Sequence, residues 1–290
     1  TLYYALPGKP SADVVIDVLD GSGNVVRHLT SAPAAPVREA ARPPMENFWI
    51  AAPSALSTNV GLNRAIWDLR YDPPPAFAHT FGFNGNPGLT RPSPEGPLAL
   101  PGSYRVRLTV DGRRYAQTVT VRTDPRSRVT RATLIAQHRL LMRLYSGLQA
   151  TWANFKPVVE LRAHVATIAP DDTVSEVGKA ARALATTLDS IAGDSLEDVR
   201  QPWDARPAAW TFVGLNREFA IQLTIQDNAD HAPTRAAVGL ARSNCADVDT
   251  MVARWRRFLE KDLTTFNSLL VRNGKTRLAA AIGRMQRCSV

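Results

Sequence analysis

The chain has no run approaching the roughly 18 consecutive apolar residues that a membrane-spanning helix needs, so no segment reads as a bilayer crossing. Lysine is scarce: only 5 of the 35 basic residues are Lys and 30 are Arg. There are two cysteines and five histidines. His28, His79, His138, His164 and His231 form no HExxH, no His-x3-His pair and no Cys/His arrangement with metal-ligand spacing, so no metal site is expected. A Walker loop is missing, as is a strand-linked GxGxxG, and no cofactor is implied. Gly21-Ser22-Gly23 lacks the spacing of a serine elbow. These absences leave no recognisable nucleophile, acid–base pair or phosphate cradle.

What is present is a globular composition, with 44% hydrophobic and 21% charged residues over 290 positions. That length suits two compact domains. The net charge is +9, which favours acidic partners such as an anionic glycan. The positive charges are scattered, with short clusters at Arg113-Arg114 and at Arg254 with Arg256-Arg257, and this argues against nucleic-acid binding. Thr1 leads straight into the strand-like run Leu2-Tyr3-Tyr4-Ala5-Leu6 without a signal-peptide pattern. The sequence therefore reads as a processed product or a piece of something longer.

Proline locates the change of structure. Sixteen of 21 prolines fall in residues 1–125; strand edges and turns tolerate proline and helix interiors do not. The reading is a β domain over 1–125, a linker at 123–127 and a helical domain over 126–290. In the first, Val14, Ile16 and Val18 share one face. Tyr104, Val106, Leu108 and Val110 alternate with polar residues, and Asp111-Gly112 supplies a hairpin turn. Antiparallel strands in about 120 residues predict a β-sandwich. Between them lies a long loop over 73–100, with Phe77, Phe81 and Phe83 in a Gly- and Pro-rich setting that offers little to bury them. Exposed rings of this kind mark a partner-binding surface. The loop carboxylates Asp72 and Glu95 are the residues an alternative glycoside-hydrolase reading would use.

In the second domain, Leu134, His138, Leu141, Tyr145, Leu148, Trp152, Phe155 and Val159 follow alternating steps of four and three, a heptad seam after an N-cap at Thr130. A second helix is predicted from Thr173, with Glu176 at the capping-box spacing and a seam of Val174, Val177, Ala181, Leu184, Leu188 and Ile191. A third covers about 212–229. A fourth starts near Pro233, carries Val238, Ala241, Cys245, Val248, Val252, Trp255, Leu259 and Phe266, and stops at Asn273-Gly274. Such seams predict an up-down, four-helix-type bundle with a tail over 275–290. The tail is long enough for Cys288 to reach Cys245 on the fourth helix as a disulfide, with two separate thiols as the alternative.

The runs Gly61-Leu62-Asn63-Arg64-Ala65-Ile66-Trp67-Asp68-Leu69-Arg70 and Gly96-Pro97-Leu98-Ala99-Leu100-Pro101-Gly102-Ser103-Tyr104-Arg105-Val106 carry a resemblance. They resemble the C-terminal region of large secreted bacterial β-propeller proteins, the sortilin-like or BNR-repeat "glycosyl hydrolase" proteins. The β part is similar to the immunoglobulin-like module of the flagellar hook-capping protein. The resemblance implies an Ig-like sandwich followed by helices, in an extracytoplasmic protein that docks on a propeller domain or another subunit. It covers most of residues 1–272 and is structural in kind; the propeller that would hold any hydrolase site is absent. Trp67 and Leu69 are then expected to point inward, Ile66 and Asp68 to the other face.

Overall fold

The computed structural model describes residues 1–33, 47–49, 51, 55–77, 89, 91, 94–168, 172, 174–193, 209–283 and 288. The fold is mixed β and α, with the strands first and the helices after them. Among the described residues no helix is long and apolar enough to cross a membrane. Two compact units are present. The first comprises Thr1–Pro74, His79–Leu141 and Gln226–Pro233; the second comprises Pro75–Ala78, Met142–Ile225 and Thr234–Val290.

Among its described residues the first unit holds six strands: β1 (Leu2–Leu6), β2 (Val15–Leu19), β3 (Val25–Thr30), β4 (Gly61–Ala65), β5 (Gly102–Val110) and β6 (Arg113–Val121). They form two antiparallel sheets, a small one of β1 and β4 and a larger one in the order β3-β2-β5-β6. Alternation puts Val14, Ile16 and Leu29 against Tyr4, Leu6 and Ala65, so one core is shared by both sheets. A second cluster joins Val18, Val26, Trp67, Ala99 and Tyr104. Each fully buried aliphatic side chain of this kind contributes about 1.5–3 kcal/mol. The Asp111-Gly112 turn has φ of 46° and 76°, the positive pair that a two-residue hairpin of matching twist requires.

Residues 61–70 depart from the simple alternation expected of them. β4 stops at Ala65; Trp67 is buried, but Leu69 is 40% exposed with a left-handed φ of 64°. Leu69 therefore does not point inward. The Trp67 indole N–H donates to the Arg70 carbonyl (3.0 Å), and the Arg70 N–H donates to the Asp68 carboxylate (3.1 Å). These local bonds curl the chain out of the strand.

The helices are α1 (Arg131–Ile168), α2 (Glu176–Ala192), α3 (Phe212–Gln226), α4 (Arg235–Phe258) and α5 (Thr264–Arg272), with a π-helical turn at Leu259–Leu263 joining the last two. Residues 122–130 connect β6 to α1, and the division between units falls inside α1, between Leu141 and Met142. The Thr130 hydroxyl accepts the Thr133 N–H (3.2 Å), an N-cap bond. α2 begins later than its capping pattern suggests. Ser175 is the cap, its side chain accepting from Gly178 N–H, and Glu176 is the first helical residue. Val174 then lies outside the helix and is 78% exposed, whereas Val177, Ala181, Leu184, Leu188 and Ile191 are buried. On α4, Thr234 supplies the cap, accepting from Ala237 N–H, so Pro233 stands just before the helix and not in its first turn.

Candidate functional site

Three features of the first or second unit bear on function: an ion-pair chain beside a polar cleft, the packing of Phe77, and an apolar groove.

The ion-pair chain begins where the curl at 66–70 brings three arginines among four carboxylates. Arg27 reaches Asp68 (3.5 Å) and Asp72 (3.8 Å). Arg91 pairs with Asp68 and with Glu95 (3.3 Å). Arg70 takes Glu95 (3.3 Å), the Gly96 carbonyl (2.8 Å) and Asp227. Asp72 also accepts the His28 backbone N–H on both oxygens. Burial raises Asp72 above the ordinary carboxylate value, against the His28 hydrogen bond and Arg27. Each carboxylate that a hydrolase reading would use, Asp72 and Glu95, is therefore committed to arginine.

A cleft of about 380 Å³ lies beside this chain, lined by Arg70, Gln137, His138, Asp227 and Asp230 with Leu98 to Pro101. Burial pushes Asp227 above the usual carboxylate value, against the pull of Arg70. His138 Nδ1 is 3.0 Å from the Leu98 carbonyl. A carbonyl only accepts, so this nitrogen carries the proton and Nε2 is the acceptor. Burial holds the imidazole below its ordinary value. The His138 proton thus faces a peptide oxygen rather than a carboxylate, and Asp227 faces a guanidinium. The Gln137 amide donates to the carbonyls of Gln226 (2.9 Å) and Ala229 (2.7 Å), fixing the cleft wall.

A carboxylate-oriented imidazole does occur at Asp17 and His28, with Nδ1 2.8 Å from the carboxylate. Its other oxygen receives Arg107 (2.8 Å). Asp17 stands opposite His28 on β3 and Arg107 on β5, so this is a cross-strand charge cluster. Burial pushes Asp17 up, but its bonds to Arg107 and His28 outweigh that and hold it below the ordinary 3.8. A lowered folded-state value stabilises at pH above the ordinary value, and that stabilisation disappears as pH falls through the folded one. Asp17→Asn is accordingly expected to lose less stability than the wild type between about pH 4 and pH 2. Thermal unfolding followed across that range checks this; parallel acid limbs in the two proteins would contradict it.

Phe77 is placed in the second unit with its ring against Trp152 (4.7 Å between centroids) and Phe155 (4.4 Å). Its N–H donates to the Asn216 side-chain carbonyl (3.1 Å). The ring that the sequence leaves without a place to bury is thus packed on α1 of its own chain. Phe81 and Phe83 lie outside the described residues. Cys245 and Cys288 are joined as a disulfide, with Cα atoms 5.4 Å apart. Among the described residues no group of three His, Cys, Asp or Glu is arranged to hold a metal ion.

The groove is the larger concavity, about 830 Å³. Ile16, Val106, Leu108 and Val110 form its floor, every residue from Thr1 to Lys9 forms one wall, and Arg113, Tyr115, Gln117 and Val119 form the other. Strand count explains it. Among the described residues four strands in the larger sheet face two in the smaller, which leaves the inner face of the β5–β6 hairpin with little opposite it. Leu108 pairs with Tyr115 and Val106 with Gln117 across that hairpin. Tyr115 is 54% exposed, and of β6 only Val119 and Val121 are even half-buried. No motif marks this surface. Its apolar alternation looks, in sequence, like that of any covered strand.

No family model matches the chain, and no curated protein or solved structure matches it.

Proposed function

We propose that this chain is a non-catalytic interaction module whose contact surface is the groove between β1 and β6. In this reading the first unit is an Ig-like β-sandwich left short on one side. The helices that follow make an up-down bundle. The setting is an extracytoplasmic bacterial protein, docked on a β-propeller domain or a cell-surface subunit, as the resemblance of residues 61–70 and 96–106 implies. The observation that supports the reading best is the half-covered inner face of the β5–β6 hairpin, where Val106, Leu108 and Val110 are partly buried and Tyr115 and Gln117 are exposed. Soluble domains seldom leave a sheet interior open unless something is to be laid on it. The commitment of Asp68, Asp72, Glu95 and Asp227 to arginine supports the non-catalytic half of the proposal.

Selection of a displayed random-peptide library on the purified chain tests it. Sequences enriched on the wild type are expected to be lost on a Tyr115→Arg/Gln117→Arg double variant. Both positions are exposed, so the added charge changes the groove wall and not the core. Enrichment indifferent to the double variant would place the contact elsewhere on the molecule.

A further inference from the structure

We propose that the groove accepts one extended strand of another protein, added to the free edge of β1, with acidic residues at the end that meets Lys9 and Arg113. The proposal rests on the interaction-module reading and names the occupant of that surface.

The first argument is the shape of the wall. A strand seen face-on presents every second residue, because successive side chains point to opposite sides. β1 instead contributes Tyr4 and Leu6 from its buried face and Tyr3 and Ala5 from its exposed face to the same lining, as a strand seen along its edge does. Among the described residues β1 pairs with β4 alone, on its other side. Its remaining backbone donors and acceptors therefore face the groove. An unpaired strand edge beside an apolar floor is the arrangement used for strand addition: main-chain bonds give affinity and the floor selects alternate side chains. The five residues of β1 and the nine of β6 bound the length of segment that fits. Val, Ile or Leu at every second position would lie on Ile16, Val106, Leu108 and Val110.

Charge decides which kind of strand. The groove end formed by Lys9, Asp111 and Arg113 carries two cations and one anion. Asp111 is already satisfied: it accepts from the Ser11 N–H (2.9 Å), the Ser11 hydroxyl (2.7 Å) and the Ala12 N–H (3.2 Å). Lys9 and Arg113 make no ion pair within 4 Å among the described residues and are both exposed. The unbalanced charge at this end is positive, in a chain of net charge +9. A second copy would bring another +9 and the same arginines, whereas an acidic partner is drawn in. A strand antiparallel to β1 enters at the Lys9 end, so its acidic residues come first.

The probe is a synthetic peptide of about ten residues, two glutamates followed by alternating valine and threonine, labelled for fluorescence anisotropy and titrated with the whole chain. Saturable binding is expected. Lys9→Glu/Arg113→Glu should weaken it by about tenfold or more, and the same peptide carrying two lysines in place of the glutamates should regain affinity for that variant. Two adjacent prolines in the middle of the peptide should abolish binding, because whichever residue faces β1 then lacks its N–H. Binding unmoved by the prolines overturns strand addition, and binding unmoved by charge reversal overturns the acidic assignment. If the peptide does not bind while library-selected sequences still occupy the groove, the acidic strand falls and the interaction reading stands; if neither binds, both fall. A concentration-dependent dimer abolished by Tyr115→Arg/Gln117→Arg would make a second copy the occupant and overturn the proposal.

Discussion

Replacing Asn216 by leucine is expected to lower the stability of the second unit by about 3 kcal/mol or more. Asn216 on α3 is fully buried. Its amide nitrogen donates to the carbonyls of Pro75 (3.1 Å) and Leu148 (3.2 Å) and to the Thr151 hydroxyl (3.0 Å), while its oxygen accepts the Phe77 N–H (3.1 Å). One side chain thus holds the segment Pro75–Phe77 onto α1 and α3. Leucine matches its size but offers no polar atom, and each buried group left unpaired costs about 1–3 kcal/mol. Urea unfolding followed by tryptophan emission reports the change, since Trp152 sits against the Phe77 ring. A loss below about 1 kcal/mol would mean that water or a rotated neighbour replaces the amide.

Cys288→Ser is expected to cost a similar amount, about 4 kcal/mol. The bond spans 43 residues, and the chain entropy that such a loop regains on opening is of that size. Titration of the denatured, unreduced protein should find no thiol. Two thiols per chain would show that Cys245 is only a small half-buried residue on the α4 face, with the tail unattached. Loss of the bond should leave the first unit's unfolding unchanged, because both cysteines belong to the second.

Much of the local structure is legible in the residues themselves. The β5–β6 hairpin follows from alternation on either side of Asp111-Gly112, a pair that suits two positive φ values in a row. The buried face of α4 follows its seam through Ala241, Val248, Val252 and Trp255. The misreadings are at ends and at curls. Thr173 and Ser175 are equally good caps by composition, and only the Gly178 N–H shows which one is used. Leu69 has the apolarity of an inward strand residue, yet the Asp68 and Trp67 side-chain bonds to the Arg70 backbone turn it outward.

Long-range pairing is where pattern stops helping. Arg70 and Asp227 are 157 positions apart, and nothing near either residue announces the other. Proline usage marks where strands give way to helix, but the first turns of α1 are tied by Gln137 and His138 to residues of the first unit, which carries the division to Leu141. The groove escapes for a related reason. Whether a sheet face is covered depends on how many strands stand opposite it, and that count belongs to the assembled sheets and not to any one strand.

The central claim, that the open face between β1 and β6 is the working surface, is tested most directly by amide hydrogen exchange on the whole chain with and without a peptide selected on it. Protection is expected to appear in Leu2–Leu6, whose free edge gains hydrogen bonds, and in Arg113–Val121, whose inner face becomes covered, with little change in α2 or α4. Protection confined to residues lining the Arg70–His138 cleft, or to the helices, with β1 and β6 exchanging as before, would contradict the account.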